Sequence, residues 1–93
     1  MLVGVLSVEI YMQGLRSLKE KRSIVKSITG RLRSRFNISI AEVDHQDVHS
    51  RATLGISVVS NSSTHINQQF DHILNFMQCD TRFYIGQTER ELF

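Results

Sequence analysis

The sequence has no proline, no low-complexity tract and no glycine- or serine-rich linker. With 93 residues, that leaves room for a single domain over residues 1–93 and argues against a second unit joined by a tether. There is one cysteine, Cys79. It cannot close an internal disulfide, so a reducing cytoplasm is the expected setting. No apolar run approaches the roughly 20 residues that a spanning helix needs, so no membrane partner is expected. Met1 to Val8 is apolar from the first residue, lacks a positive leading region, and runs into Glu9 rather than a small-residue cleavage site. No signal peptide is expected. The chain also lacks a glycine-rich phosphate loop, a nucleophile elbow and catalytically spaced carboxylates. Nothing in it calls for a cofactor, and catalysis is not expected.

The residues that are present suit a small globular core. The hydrophobic share is 41% and the charged share 22%, too apolar for a disordered chain. A domain of this size buries roughly 60–65% of the surface its unfolded form exposes, enough for one core without a metal or disulfide. The net charge of +2 conceals a sharp division. Arg16, Lys19, Lys21, Arg22, Lys26, Arg31, Arg33 and Arg35 face only Glu20 within one segment, a net of +7. The other three cations and eight carboxylates leave the rest of the chain at −5. Such asymmetry within a domain points to an interaction surface.

Periodicity gives the element order. Leu2 to Met12 alternates as a half-buried strand, with Leu2, Gly4, Leu6, Val8, Ile10 and Met12 on one face. Ser17-Leu18-Lys19-Glu20 is a capping-box pattern, in which the serine hydroxyl accepts from the Glu20 amide and the Glu20 carboxylate reaches back to the Ser17 amide. A helix to about Arg35 follows, with Leu18, Val25, Ile28, Leu32 and Phe36 on one stripe. Gly30 inside it costs about 1 kcal/mol against alanine and so marks either close packing or tolerance. Ile38 to His45 and Arg51 to Ser60 read as strands joined by a short acidic turn. Ser60 to Ser63 supplies N-cap residues for a second helix with Ile66, Phe70, Ile73, Leu74 and Met77 on its inner face. Arg82 to about Thr88 is the last strand, with Phe83 and Ile85 inward. The order β-α-β-β-α-β, with two one-sided helices and right-handed crossovers, predicts an α+β ferredoxin-like sandwich: a four-stranded antiparallel sheet with both helices on one face.

Two stretches carry a family resemblance. One is Ser17-Leu18-Lys19-Glu20-Lys21-Arg22-Ser23. The other is Ala41-Glu42-Val43-Asp44-His45-Gln46-Asp47, continuing through Arg51-Ala52-Thr53-Leu54-Gly55 to Val58-Val59-Ser60-Asn61. Together they resemble the YlxP-like family, a small bacterial domain of unknown function, over nearly the whole chain. The resemblance implies a ferredoxin-like fold. Members are often encoded beside translation-initiation and ribosome-maturation factors, which by association points to RNA or the ribosome. It supplies no catalytic residues. This sequence has His49 where members commonly carry tryptophan.

The basic first helix is the leading candidate site. Lys19, Arg22, Lys26 and Arg33 fall within about one-sixth of a turn at ~100° per residue, with Arg31 and Arg35 on the opposite flank. Such a stripe can follow a phosphate backbone. Arg16, Lys19, Lys21 and Arg22 also crowd the positive end of the helix dipole, at about 0.3–1 kcal/mol each, which an anion there would relieve. The alternative is a solvated face paired with the acidic remainder. The open sheet face lacks the aromatics on the third strand that RNA-recognition motifs stack against bases; Tyr11 and Tyr84 lie off those positions. An apolar patch of Val3, Val5, Ile38 and Ile40 on that face would need a dimer partner to cover it. Glu42, Asp44, His45, Asp47 and His49 read as a solvated hairpin, since alternation sends Glu42 and Asp44 one way and His45 the other, away from convergent metal ligation. Cys79 reads as a small packed residue at a helix end. The expectation is a non-enzymatic accessory protein that binds RNA or the ribosome through the first helix and reads phosphates rather than bases. The alternatives are a module that forms a homodimer through its open sheet, or an ACT-like small-ligand regulatory domain sharing this topology.

Overall fold

The computed structural model describes all residues, 1–93. The elements are β1 (Leu2–Tyr11), α1 (Leu18–Arg35), β2 (Ser39–Asp44), β3 (Arg51–Ser60), α2 (Ser63–Gln78) and β4 (Tyr84–Leu92). The strands form one antiparallel sheet in the order β2-β3-β1-β4. This is the ferredoxin-like arrangement.

Alternation along the strands sets the core. Leu6, Val8, Ile10 and Met12 of the first strand segment face the helices beside Ala52, Leu54, Ile56 and Val58 of β3. From above, α1 adds Val25, Ile28 and Leu32, and α2 adds Ile66, Phe70, Ile73 and Met77. Gly4 belongs to the same face, where an added Cβ would collide with Ile66 and press on the Phe70 ring. A glycine here lets α2 sit close to β1.

Both helices start on serine caps. Ser17 accepts from the Glu20 amide and Ser62 from the His65 amide. The expected reciprocal bond falls one residue earlier than the sequence pattern implies, because the Glu20 carboxylate takes the Arg16 amide at 3.0 Å instead of that of Ser17. Gly14, at φ 73°, provides the left-handed turn that brings Arg16 back within reach.

Four expectations need correction. Ile40 pairs with Ile56 and is 5% exposed, and Ile38 packs against the same core. Both face the helices, so neither belongs to an apolar patch on the open sheet. The register shifts between Glu42 and Asp44, setting two residues of β2 against one of β3. This bulge reverses the alternation, so Asp44 joins His45 on the open face while Glu42 stays on the helix side. Cys79 is the C-cap of α2 and is exposed rather than packed. The last strand also extends beyond Thr88, with β4 running to Leu92.

Candidate nucleic-acid interface

The eight cations of the first-helix segment divide into three groups. Lys21 is fully buried, with 0% of its side chain exposed. Its ammonium is ion-paired with Glu42 and donates to the carbonyls of His45, at 2.7 Å, and Gln46, at 3.3 Å. It is therefore unavailable to an external anion, and its place in the candidate interface is corrected. The physical reason lies in the helix repeat. Leu18, Lys21, Val25, Ile28 and Leu32 follow one another at i, i+3, i+7, i+10 and i+14, so Lys21 stands on the buried stripe. The misplaced cation within an apolar stripe was the available signal that an acidic partner sits across the interface.

Three arginines are engaged at the C-terminal half of α1. Arg33 donates to the Ile40 carbonyl at 2.9 Å. Arg31 and Arg35 lie over the Phe76 ring of α2, 5.1 and 4.8 Å from its centroid, and Arg31 stands 3.8 Å from the Asp80 carboxylate. These cations support α1 against β2 and α2.

The third group is Arg16, Lys19, Arg22 and Lys26. All four are exposed, and none of their side chains has a hydrogen bond or ion pair within the chain. They occupy the turn before α1 and its first half, where Lys19 and Lys26 are about 10 Å apart along the axis. The only acid of that half is Glu20, whose Oε2 is bound to a backbone amide. A row of unpaired cations at the positive end of a helix is an uncompensated positive surface.

The opposite side of the molecule carries the opposite sign. A polar depression of about 170 Å³ on the open sheet is lined by Glu9, Asp44, His45 and Glu89, with Ser7, Thr53 and Gln87, and by no apolar side chain. Arg51 binds Glu9 at 2.8 Å, and the Tyr11 hydroxyl donates to the same carboxylate at 2.9 Å. The Tyr11 bond and Arg51 hold Glu9 below its ordinary pKa, and Glu9 pushes the Tyr11 phenol up. Tyr11 and Tyr84 stack on each other at 5.5 Å, and Gly86 leaves the space that the Tyr11 ring fills. The two tyrosines are thus engaged with one another at one end of an acidic face.

A second depression lies beside the first turns of α1. It is an open groove of about 500 Å³ between Leu15, Lys19, Glu20, Ser23 and Ile24 on one side and Arg82 on the other. Arg82 binds both oxygens of Asp80 and donates to Ser27 at 3.2 Å. The guanidinium holds the Asp80 carboxyl below its ordinary range, and the carboxylate raises Arg82 in turn. The α2–β4 loop gave no indication in the sequence that it would complete a groove with α1.

The architecture and charge map therefore define a small ferredoxin-like α+β domain, basic on the helix layer and acidic on the sheet. A crystal structure described as a dimeric ferredoxin-like protein from an uncultured marine organism superposes with a TM-score of 0.52 over 98% of this chain and 94% of that one, at 14% identity. Residues 3–90 match the family model described as "Protein of unknown function (DUF503)", and the chain belongs to that family. It is also 34% identical to the uncharacterized protein YlxP of Bacillus subtilis over 76 residues, covering 82% of this chain and 83% of that protein. The two sequence stretches that carry this likeness meet in space, since Lys21 comes from the first, and Glu42, His45 and Gln46 from the second.

Proposed function

We propose that this domain is a non-enzymatic RNA-binding accessory protein that docks on RNA, ribosomal RNA included, through the N-terminal half of α1. The observation that carries the reading is the set of four exposed, unpaired cations Arg16, Lys19, Arg22 and Lys26. Cations that pair with no carboxylate leave a positive potential at the surface. Phosphate oxygens are the ligand such a potential attracts most strongly. The acidic sheet face supports the same orientation by repelling the backbone that the helix draws in. The test is cosedimentation with ribosomes and binding to a single-stranded RNA at two salt concentrations. Binding at low salt that is lost on changing all four cations to glutamate is expected. Equal affinity of the charge-reversed protein overturns the reading.

A second reading concerns the open sheet. Val3 lies between Val59 and Phe93 in register, and Val59 and Phe93 are 62% and 68% exposed. Val43, also exposed, closes over Gly55, four residues from Val59 along β3. This apolar row replaces the patch expected from Ile38 and Ile40, and a second copy of the chain would cover it. The marine protein's description as dimeric fits that reading. Dimerisation there leaves α1 free, because the helices occupy the other face. Light scattering after size exclusion should give twice the mass of one chain, and Val59→Glu should halve it. A monomeric wild-type protein at high concentration contradicts this second reading.

A further inference from the structure

We infer that the groove beside the first turns of α1 receives one unpaired base of the bound RNA, so that the protein prefers single-stranded RNA over a duplex. The inference rests on the proposed RNA-binding role and adds to it a contact that is not to phosphate. The groove is continuous with the free cations, since Lys19 belongs to both. Its inner wall is nevertheless apolar, formed by half-buried Leu15 and Ile24. Apolar surface set among unpaired cations suits a ligand that is anionic on one side and planar and apolar on the other. A nucleotide with its base turned away from its neighbours has that character.

The opposite wall is Arg82. Its charge is already met by both Asp80 oxygens, through Nε and Nη2, and the same Nη2 also donates to Ser27, so the guanidinium is held in place and poorly suited to seize a phosphate. A fixed, planar guanidinium is suited to lying against a base. Glu20 completes the groove as an acceptor. Its Oε2 is bound to the Arg16 amide, and its Oε1 has no partner in the chain, leaving it open to an exocyclic amine. The volume of about 500 Å³ lies within the range of sites that hold small planar ligands. A duplex keeps its bases stacked and can offer the groove nothing.

The test measures fluorescence anisotropy with three labelled probes of equal length: a single-stranded RNA, the same sequence as a duplex, and a chain of abasic ribose phosphates. The wild-type protein should bind the intact single strand about tenfold more tightly than the abasic chain or the duplex, as expected for one stacked base. Ser23→Leu places a larger side chain in the groove from an exposed helical position. It should bring the intact strand down to the abasic level and leave the other two probes unchanged. Equal binding of all three probes, unaffected by Ser23→Leu, overturns the groove and leaves the cation row standing. Absence of binding to every probe overturns the RNA-binding reading and the groove together. Because the wild-type comparison needs no substitution, a folding defect in the variant cannot obscure the answer.

Discussion

Lys21 occupies a position where the helix repeat calls for an apolar side chain, and the protein supplies everything an ammonium needs there. Glu42 provides the opposite charge, and two hairpin carbonyls accept the remaining protons. His45, which supplies one of those accepting carbonyls, has a left-handed backbone at φ 65°. That conformation is unfavourable for a residue with a Cβ and is here tied down by Lys21. A buried pair of this kind is costly to break from one side and cheap to replace as a whole. Lys21→Ala should lower unfolding stability by about 3–5 kcal/mol, because Glu42 is left without a counter-charge. The double change Lys21→Met with Glu42→Leu should recover most of that loss. Urea denaturation of the three proteins checks it, and a double variant no more stable than Lys21→Ala would contradict it. Asp80 makes a second prediction at this scale. Its folded pKa lies below the ordinary 3.8 because Arg82 favours the carboxylate. The pairing thus stabilises the fold above the unfolded pKa and is lost as pH falls through the lower folded value. Asp80→Asn should flatten the fall in urea midpoint between pH 5 and the acid range, seen as a smaller difference between the two proteins at low pH than at neutral pH.

At the scale of elements, α1 and β2 show what the sequence makes legible and what it hides. The order of elements, the serine caps and the inner faces of both helices follow from periodicity, because a helix or strand in a two-layer domain must bury one side. The stripe marks Lys21 as misplaced, but which residues partner it escapes such a reading, because they lie 21 to 25 residues away in sequence. The orientation of Asp44 escapes it for a different reason: a bulge inserts one residue and reverses the alternation, and no local propensity announces it. The face of Ile40 was set by pairing with Ile56, a non-local fact. The candidate site was legible as a charge excess on one helix, while the division into buried, engaged and free cations required the neighbours. Gly30 resolves in favour of tolerance. An added Cβ there meets nothing within 4 Å, so Gly30→Ala should raise stability by roughly 0.5–1 kcal/mol through helix propensity alone. Gly4→Ala should do the reverse, because Ile66 already occupies the space. Thermal denaturation of the pair separates the two kinds of glycine.

For the molecule as a whole, the decisive property is that the two faces of a thin domain differ in sign. The helix layer presents Arg16, Lys19, Arg22 and Lys26, and the sheet presents Glu9, Asp44 and Glu89 around one depression. No helix is long and apolar enough to cross a membrane. A field of this kind orients the protein before contact and directs an anionic polymer to one side. Dimerisation through the apolar row would leave two basic helix layers facing outward, each carrying the four free cations. The measurement that tests the account most directly is the dependence of RNA affinity on salt. Each phosphate neutralised on a single strand contributes about −0.7 to the slope of log K against log salt, so engagement of the four free cations predicts a slope of roughly −2 to −3. Changing Arg16, Lys19, Arg22 and Lys26 to glutamate should remove both the affinity and the slope. A wild-type slope near zero, or a slope that survives the four substitutions, would contradict the account.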